Sequence, residues 1–124
     1  MYTELSLKTL DGDKTFKFLA TGSTAIRYRQ VFHQDLMVVL NKLQQLEKSD
    51  DVDTGVVDRL AYIMNMQAEK QDMNALNNDL FIGWADQFDG MELFKNMDKI
   101  VGLYLGNKFS GSSQKKGAAR QSGK

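Results

Sequence analysis

The 124-residue chain contains no cysteine, no proline and a single histidine. Without cysteine there is neither a disulfide framework nor a thiolate metal site. The lone His33 has no second histidine and no serine or cysteine nucleophile at a spacing that would recruit it. No run approaches the roughly 18 apolar residues that a membrane span needs. The N-terminal "MYTELSLKTL" alternates polar and apolar residues rather than forming the apolar block of a signal peptide. The absence of proline is compatible with long helices but decides nothing. A cytoplasmic location is the simplest expectation.

What is present is an ordinary globular composition, 42% hydrophobic and 26% charged, in a chain long enough for one domain with a modest core. The net charge of zero hides an asymmetry. All 16 acidic residues and 11 of the 16 basic ones lie in the body up to Gly106, the last acid being Asp98, which leaves that body at −5. From Asn107 onward Lys108, Lys115, Lys116, Arg120 and Lys124 give +5 with no acid. That stretch, "NKFSGSSQKKGAARQSGK", lacks the apolar mass to offset its ordering entropy, so a globular domain over 1–106 and a disordered basic tail over 107–124 are expected.

Along the body, "TELSLKT" and "KTFKFLA" alternate at period two on either side of "LDGDK". Gly12 after Asp11 supplies the positive φ that a tight turn requires, so an N-terminal β-hairpin is predicted. A bare hairpin is marginal in water and must rest on something. From Ser23, or Thr21 as an alternative cap, Tyr28, Phe32, Leu36, Val39, Leu43 and Leu46 recur at steps of three and four as one continuous stripe. Asp53 or Thr54 can cap a second helix bearing Val56, Val57, Leu60, Ile63 and Met64. After the polar "QAEKQDMNALNN", a short third helix carries Leu80, Phe81, Trp84, Ala85 and Phe88 and ends at Gly90. A fourth carries Leu93, Phe94, Met97, Ile100, Val101 and Tyr104 and ends at Gly106. The fold class is therefore α+β, mostly α: a hairpin packed on about four helices.

Chemistry-bearing patterns are weak. In "AIRYRQVFHQDLM", Arg27 and Arg29 flank the stripe and fit solvated groups or partners of acids such as Asp35, while His33 fits a helix surface or boundary. "DDVDTG" starts like a calcium loop at Asp51 and Asp53. Counted from Asp51, however, glycine falls at the fifth place and Tyr62 at the twelfth, where an EF-hand needs the sixth and a glutamate. Asp86 and Asp89 beside Trp84 read as solubilising groups at a helix end. No phosphate-binding or hydrolase motif occurs. Catalytic, cofactor and metal residues are thus assigned to none. Phe81, Trp84 and Phe88, at i, i+3 and i+7, either fill the core or form a partner-binding face, aromatics being enriched at interfaces.

The order of parts is informative. A hairpin, "ELSLKTLDGDKTFKFLATGSTAI", runs into a helix with "AIRYRQVFHQDLM"; "VVDRLAYIM", "FIGWADQFD" and a terminal helix follow. Over about residues 3–105 this resembles the tail assembly chaperones of long-tailed, siphovirus-type phages and prophages of Gram-positive bacteria. The run from Tyr28 to Leu36 and the placement of Trp84 carry the local likeness, while "NMQAEKQDMNALNNDL" is longer and more polar than that pattern. The resemblance implies a non-enzymatic protein of the host-cell cytoplasm that binds the hydrophobic tape-measure protein and keeps it soluble while tail-tube subunits assemble. The tail-tube protein and a second copy of the chain are further expected partners. It also implies a longer product from a ribosomal frameshift, for which an A-rich codon run under "QKKG" (Gln114 to Gly117) would serve. Seven methionines suit adaptable apolar contacts. The competing class is a small nucleic-acid-associated phage or bacterial regulatory protein that uses its basic tail electrostatically. Against it, the body is acidic and no helix shows a basic face next to a turn of helix-turn-helix type.

Overall fold

The computed structural model describes residues 1–44 and 54–106. Strands β1 (Tyr2–Thr9) and β2 (Gly12–Leu19) pair antiparallel in register from Tyr2 opposite Leu19 to Thr9 opposite Gly12. Gly12 has φ +104°, whereas neither Leu10 nor Asp11 has a positive φ. The turn therefore resembles the type I turn followed by a glycine bulge rather than a primed two-residue turn. Thr9 locks it: its hydroxyl donates to the Gly12 carbonyl at 2.7 Å and accepts from the Asp11 N–H at 3.1 Å. Leu7 and Phe18 are fully buried, with Leu5 and Phe16 packed beside them, so one face of the hairpin is core and Lys8 and Lys17 stay on the wet one.

The support for that face is α3 (Gly55–Ala68), which packs against β2 and against most other helices. Every residue from Leu60 to Asn65 is buried, as are Val56 and Val57. A helix enclosed on all sides loses its amphipathic stripe, which is why Tyr62, off the three-four spacing, is core as well.

The predicted long first helix is two helices. α1 (Thr24–Phe32) ends at His33, which adopts a left-handed conformation (φ 59°) and donates its N–H to the Arg29 carbonyl at 2.8 Å. α2 (Leu36–Gln44) restarts on Asp35, whose carboxylate accepts from the Met37 N–H at 3.0 Å. A left-handed non-glycine costs roughly 1–2 kcal/mol. Offsetting contacts are present: the buried Tyr28 hydroxyl donates to Gln34 at 2.9 Å and accepts from the Arg59 Nε at 3.0 Å, tying the break to α3. The stripe stays unbroken in sequence because Tyr28, Leu36, Leu40 and Leu43 all enter the same core. Leu46 and the Asp51–Asp53 segment lie outside the described residues.

Beyond α3, Lys70 turns the chain at φ 58° and a 3-10 turn spans Met73–Ala75. Asn77 then caps α4 (Asn78–Ala85), accepting from the Leu80 N–H at 2.9 Å. The helix ends at Ala85, ahead of the predicted break at Gly90. The last apolar stripe is also split, into α5 (Glu92–Lys95) and α6 (Met97–Leu105), about Asn96, whose side chain donates to the Glu92 carbonyl at 2.9 Å. Gly106, at φ 70°, terminates α6 as predicted. The observed class is α+β, mostly α, with six α-helices among the described residues where about four were expected, because two stripes are interrupted.

Candidate partner-binding surface

Seven aromatic rings form a continuous line through the molecule. Phe16 meets Phe88 at 4.9 Å between centroids, Phe88 meets Trp84 at 4.9 Å, and Trp84 meets Tyr62 at 5.3 Å. Tyr62 continues to Phe81 at 5.6 Å, Phe81 to Phe32 at 5.2 Å and Phe32 to Tyr28 at 5.1 Å. These separations lie in the range where edge and tilted ring pairs attract beyond simple burial. The Arg59 guanidinium stands 5.8 Å from the Phe32 centroid, near the far end of the line.

Phe81, Trp84 and Phe88, singled out by their spacing, are three members of this line, and they do not share one helix. Phe81 and Trp84 belong to α4, whereas Phe88 follows it in a short extended piece bridged to Thr9 of β1. Phe88 is only 6% exposed, and Phe81 and Trp84 are half-buried. The Trp84 indole N–H donates to the side-chain Oδ1 of buried Asn65 at 3.0 Å, and the Asn65 Nδ2 donates to the Lys17 backbone carbonyl at 2.8 Å. One buried side chain thus joins α4, α3 and β2 with its polar groups satisfied, as burial requires. Sequence spacing found the trio but missed Tyr62, the ring that joins Trp84 to Phe81.

The same seating leaves the other side of α4 bare. Leu80 is 51% exposed and Ile82 49%. Gly83 lies beside them, also exposed, with no described atom within 4 Å of where a Cβ would stand. Glycine inside a helix costs about 0.5–1 kcal/mol relative to alanine, and no contact among the described residues requires it here. Elsewhere, Ile26 on α1 and Met37 and Val38 on α2 are also exposed.

The remaining candidates behave as local structure. Arg27 donates to Asn74 Oδ1 at 3.1 Å and to Gln30 Oε1 at 3.3 Å, both at the surface, so of the two expectations the solvated group fits better than the partner of an acid. His33 ends α1 and, with Val31, Phe32, Gln34, Arg59 and Asn78, lines an open hollow of about 240 Å³. Asp86 caps the end of α4, and the Asp89 N–H donates to the Lys8 carbonyl at 3.1 Å. Burial raises the pKa values of Tyr62 and of Tyr104, the latter also facing the Asp35 charge. No helix among the described residues is long and apolar enough to cross a membrane. No protein-family model, no curated protein and no solved structure matches this chain.

Proposed function

We propose that the protein is a non-enzymatic phage tail assembly chaperone of the host-cell cytoplasm, binding an apolar helical segment of the tape-measure protein. The observation that supports this reading best is the outer face of α4. Leu80 and Ile82 stand in solvent beside Gly83, on a helix anchored from beneath by Phe81, Trp84 and the Asn65 hydrogen bond. Exposed aliphatics on the two flanks of the helix, with the side-chain-free Gly83 between them, offer apolar contacts to an amphipathic client helix laid along it. The anchoring rings keep the face rigid, which lowers the entropy lost on binding. The element order shared with tail assembly chaperones supplies the identity of the client. Self-association through the same face, and contact with the tail-tube protein as the client is handed on, belong to this reading.

The trio Phe81, Trp84 and Phe88 contributes as the platform, with Phe81 and Trp84 reaching its rim. Trp84→Ala would remove ring packing and a hydrogen bond together, so it cannot report on binding alone. The double variant Leu80→Asp, Ile82→Asp can. Co-expression of the wild type with the tape-measure protein should raise the soluble fraction of that client. The double variant should lose the effect while its thermal midpoint stays close to wild type, since surface changes usually fall within about 0.5 kcal/mol. A folded double variant that still solubilises the client would dismiss α4 as the surface. A wild type that neither self-associates nor solubilises any protein encoded beside it would dismiss the chaperone reading.

A further inference from the structure

The outer edge of β1 is covered at one end and bare at the other. Odd-numbered residues of β1 bond to β2, as shown where Met1 exchanges hydrogen bonds with Ala20 at 2.7 and 2.8 Å. The even-numbered residues therefore turn their N–H and C=O groups outward. Toward the hairpin turn, the chain itself occupies that edge. Leu10 N–H donates to the Gln87 carbonyl at 2.9 Å, Asp89 N–H to the Lys8 carbonyl at 3.1 Å, and Lys8 N–H to the Glu92 carboxylate at 2.9 Å. Phe88 is thereby an antiparallel neighbour of Thr9, and Gly90, at φ 54°, comes two residues later. At Tyr2, Glu4 and Ser6, all exposed, the same backbone groups have no partner among the described residues. An open edge of this kind accepts another strand.

Two features say what strand fits. The first is a groove of about 300 Å³ beside the bare stretch, between β1 and α6, lined by Met1, Tyr2, Thr3, Leu5, Lys99 and Leu103. Thr3 and Leu5 are half-buried on the side of β1 that carries the buried Leu7. Alternate side chains of an added strand would fall on that side, into the groove. A cavity of about 150 Å³ holds benzene, so the groove has room for a valine, leucine or phenylalanine side chain. The second feature is charge. On the opposite face, the Glu4 carboxylate accepts from the Tyr2 hydroxyl at 2.6 Å. Lys17 stands across from it on β2 but makes no ion pair with it. The position beside Glu4 on an added strand therefore suits Lys or Arg. The same charge disfavours a second copy. Antiparallel self-pairing over the whole bare stretch sets Glu4 against Glu4, and sliding it by two residues leaves one of the three open positions unpaired.

We propose that this edge receives a short extended segment of another protein, antiparallel to residues 2–6, with Lys or Arg opposite Glu4 and apolar residues opposite Thr3 and Leu5. Tyr2, Glu4 and Ser6 then each exchange a pair of backbone hydrogen bonds with the residue opposite. The main-chain bonds supply affinity, while the groove and the Glu4 carboxylate select the sequence, as where peptides add to exposed sheet edges. The newcomer continues along β1 the pairing that Gln87 and Asp89 begin at its other end. The recognised pattern is apolar, basic, apolar in an extended chain, unlike the helix proposed for α4. The two surfaces therefore stand or fall separately.

Amide hydrogen exchange on the full chain tests this with a synthetic peptide, Ser-Thr-Val-Lys-Val-Thr-Ser, and its twin bearing Glu in place of Lys. At saturation the Lys peptide should slow exchange of the Glu4 and Ser6 amides about tenfold. The Lys8 amide, already bonded to Glu92, should change little. The Lys peptide should bind roughly fivefold tighter than its twin, as expected for swapping an opposite charge for a like one across a strand pair. Glu4→Gln, a change at an exposed position, should lose that preference. No protection at Glu4 and Ser6 with millimolar peptide would overturn the proposal. So would equal affinity for the two peptides, or a preference that survives in Glu4→Gln. Protection that arises without peptide and grows with protein concentration would overturn it as well, because a second copy would then occupy the edge.

Discussion

α3 and α4 are both rich in apolar residues, yet they end in opposite environments. α3 is enclosed by the hairpin and by neighbouring helices, and its Leu60 is fully buried. α4 touches the core along one side only and leaves Leu80 half in water. Apolar content is thus a poor guide to burial; the number of elements that close around a helix decides it. The contrast also separates two jobs. α3 holds the fold together, while α4 is held by it and offers its free side outward.

The sharpest test of this contrast is the largest. Leu60→Ala should cost about 2–5 kcal/mol, read from denaturant unfolding, because it leaves a cavity at the centre of the core. A loss below about 1 kcal/mol would mean that α3 is less enclosed than its burial indicates. Asn65→Ala comes next. It strands the Trp84 indole N–H and the Lys17 carbonyl together and should cost about 1–3 kcal/mol. Fluorescence of Trp84, the only tryptophan, should shift at the same time. An unchanged stability would break the claim that α4 is anchored through α3.

A smaller effect belongs to Asp58, in the first turn of α3. Burial raises its pKa above the usual 3.8, and the Arg59 charge offsets this only in part. The charged form is the one the fold disfavours, so the cost is present above the raised pKa and absent once pH falls below the ordinary value. Asp58→Asn should therefore raise the unfolding midpoint at pH 7, and the gain should fade as pH is lowered toward 3.8. A gain that grows in acid would reverse the assignment. Smallest of all, Leu80→Ala should shift stability by no more than about 0.5 kcal/mol; a core-like loss there would erase the difference between the two helices.

Much of the architecture is legible in the residues. Period-two alternation around Gly12 locates the hairpin, and Gly106 marks the end of α6. Three-four spacing finds the apolar helix faces. The same spacing cannot reveal the break at His33, since an interrupted helix whose halves face one core keeps its apolar rhythm. It also cannot show that Phe88 has left α4, because a residue in an extended piece can reach the same seam as one on the helix. Asn77 and Asp35, both capping types, carry the clearest local signals of the restarts that the stripe conceals.

The candidate site divides the same way. Spacing selects Phe81, Trp84 and Phe88 as a group, yet their inward seating depends on Tyr62, Asn65 and Phe16 from three other elements. The exposure of Leu80 and Ile82 follows from that seating, for turning α4's rings inward turns its remaining aliphatics out. The sequence by itself determined the element types, the turn at Gly12 and the division of charge between body and tail, because propensity, turn geometry and charge are properties of neighbours along the chain. Only the tertiary structure decided which apolar residues meet water, where the helices break and which part of β1's outer edge the segment after α4 covers, because each depends on what packs from a distance.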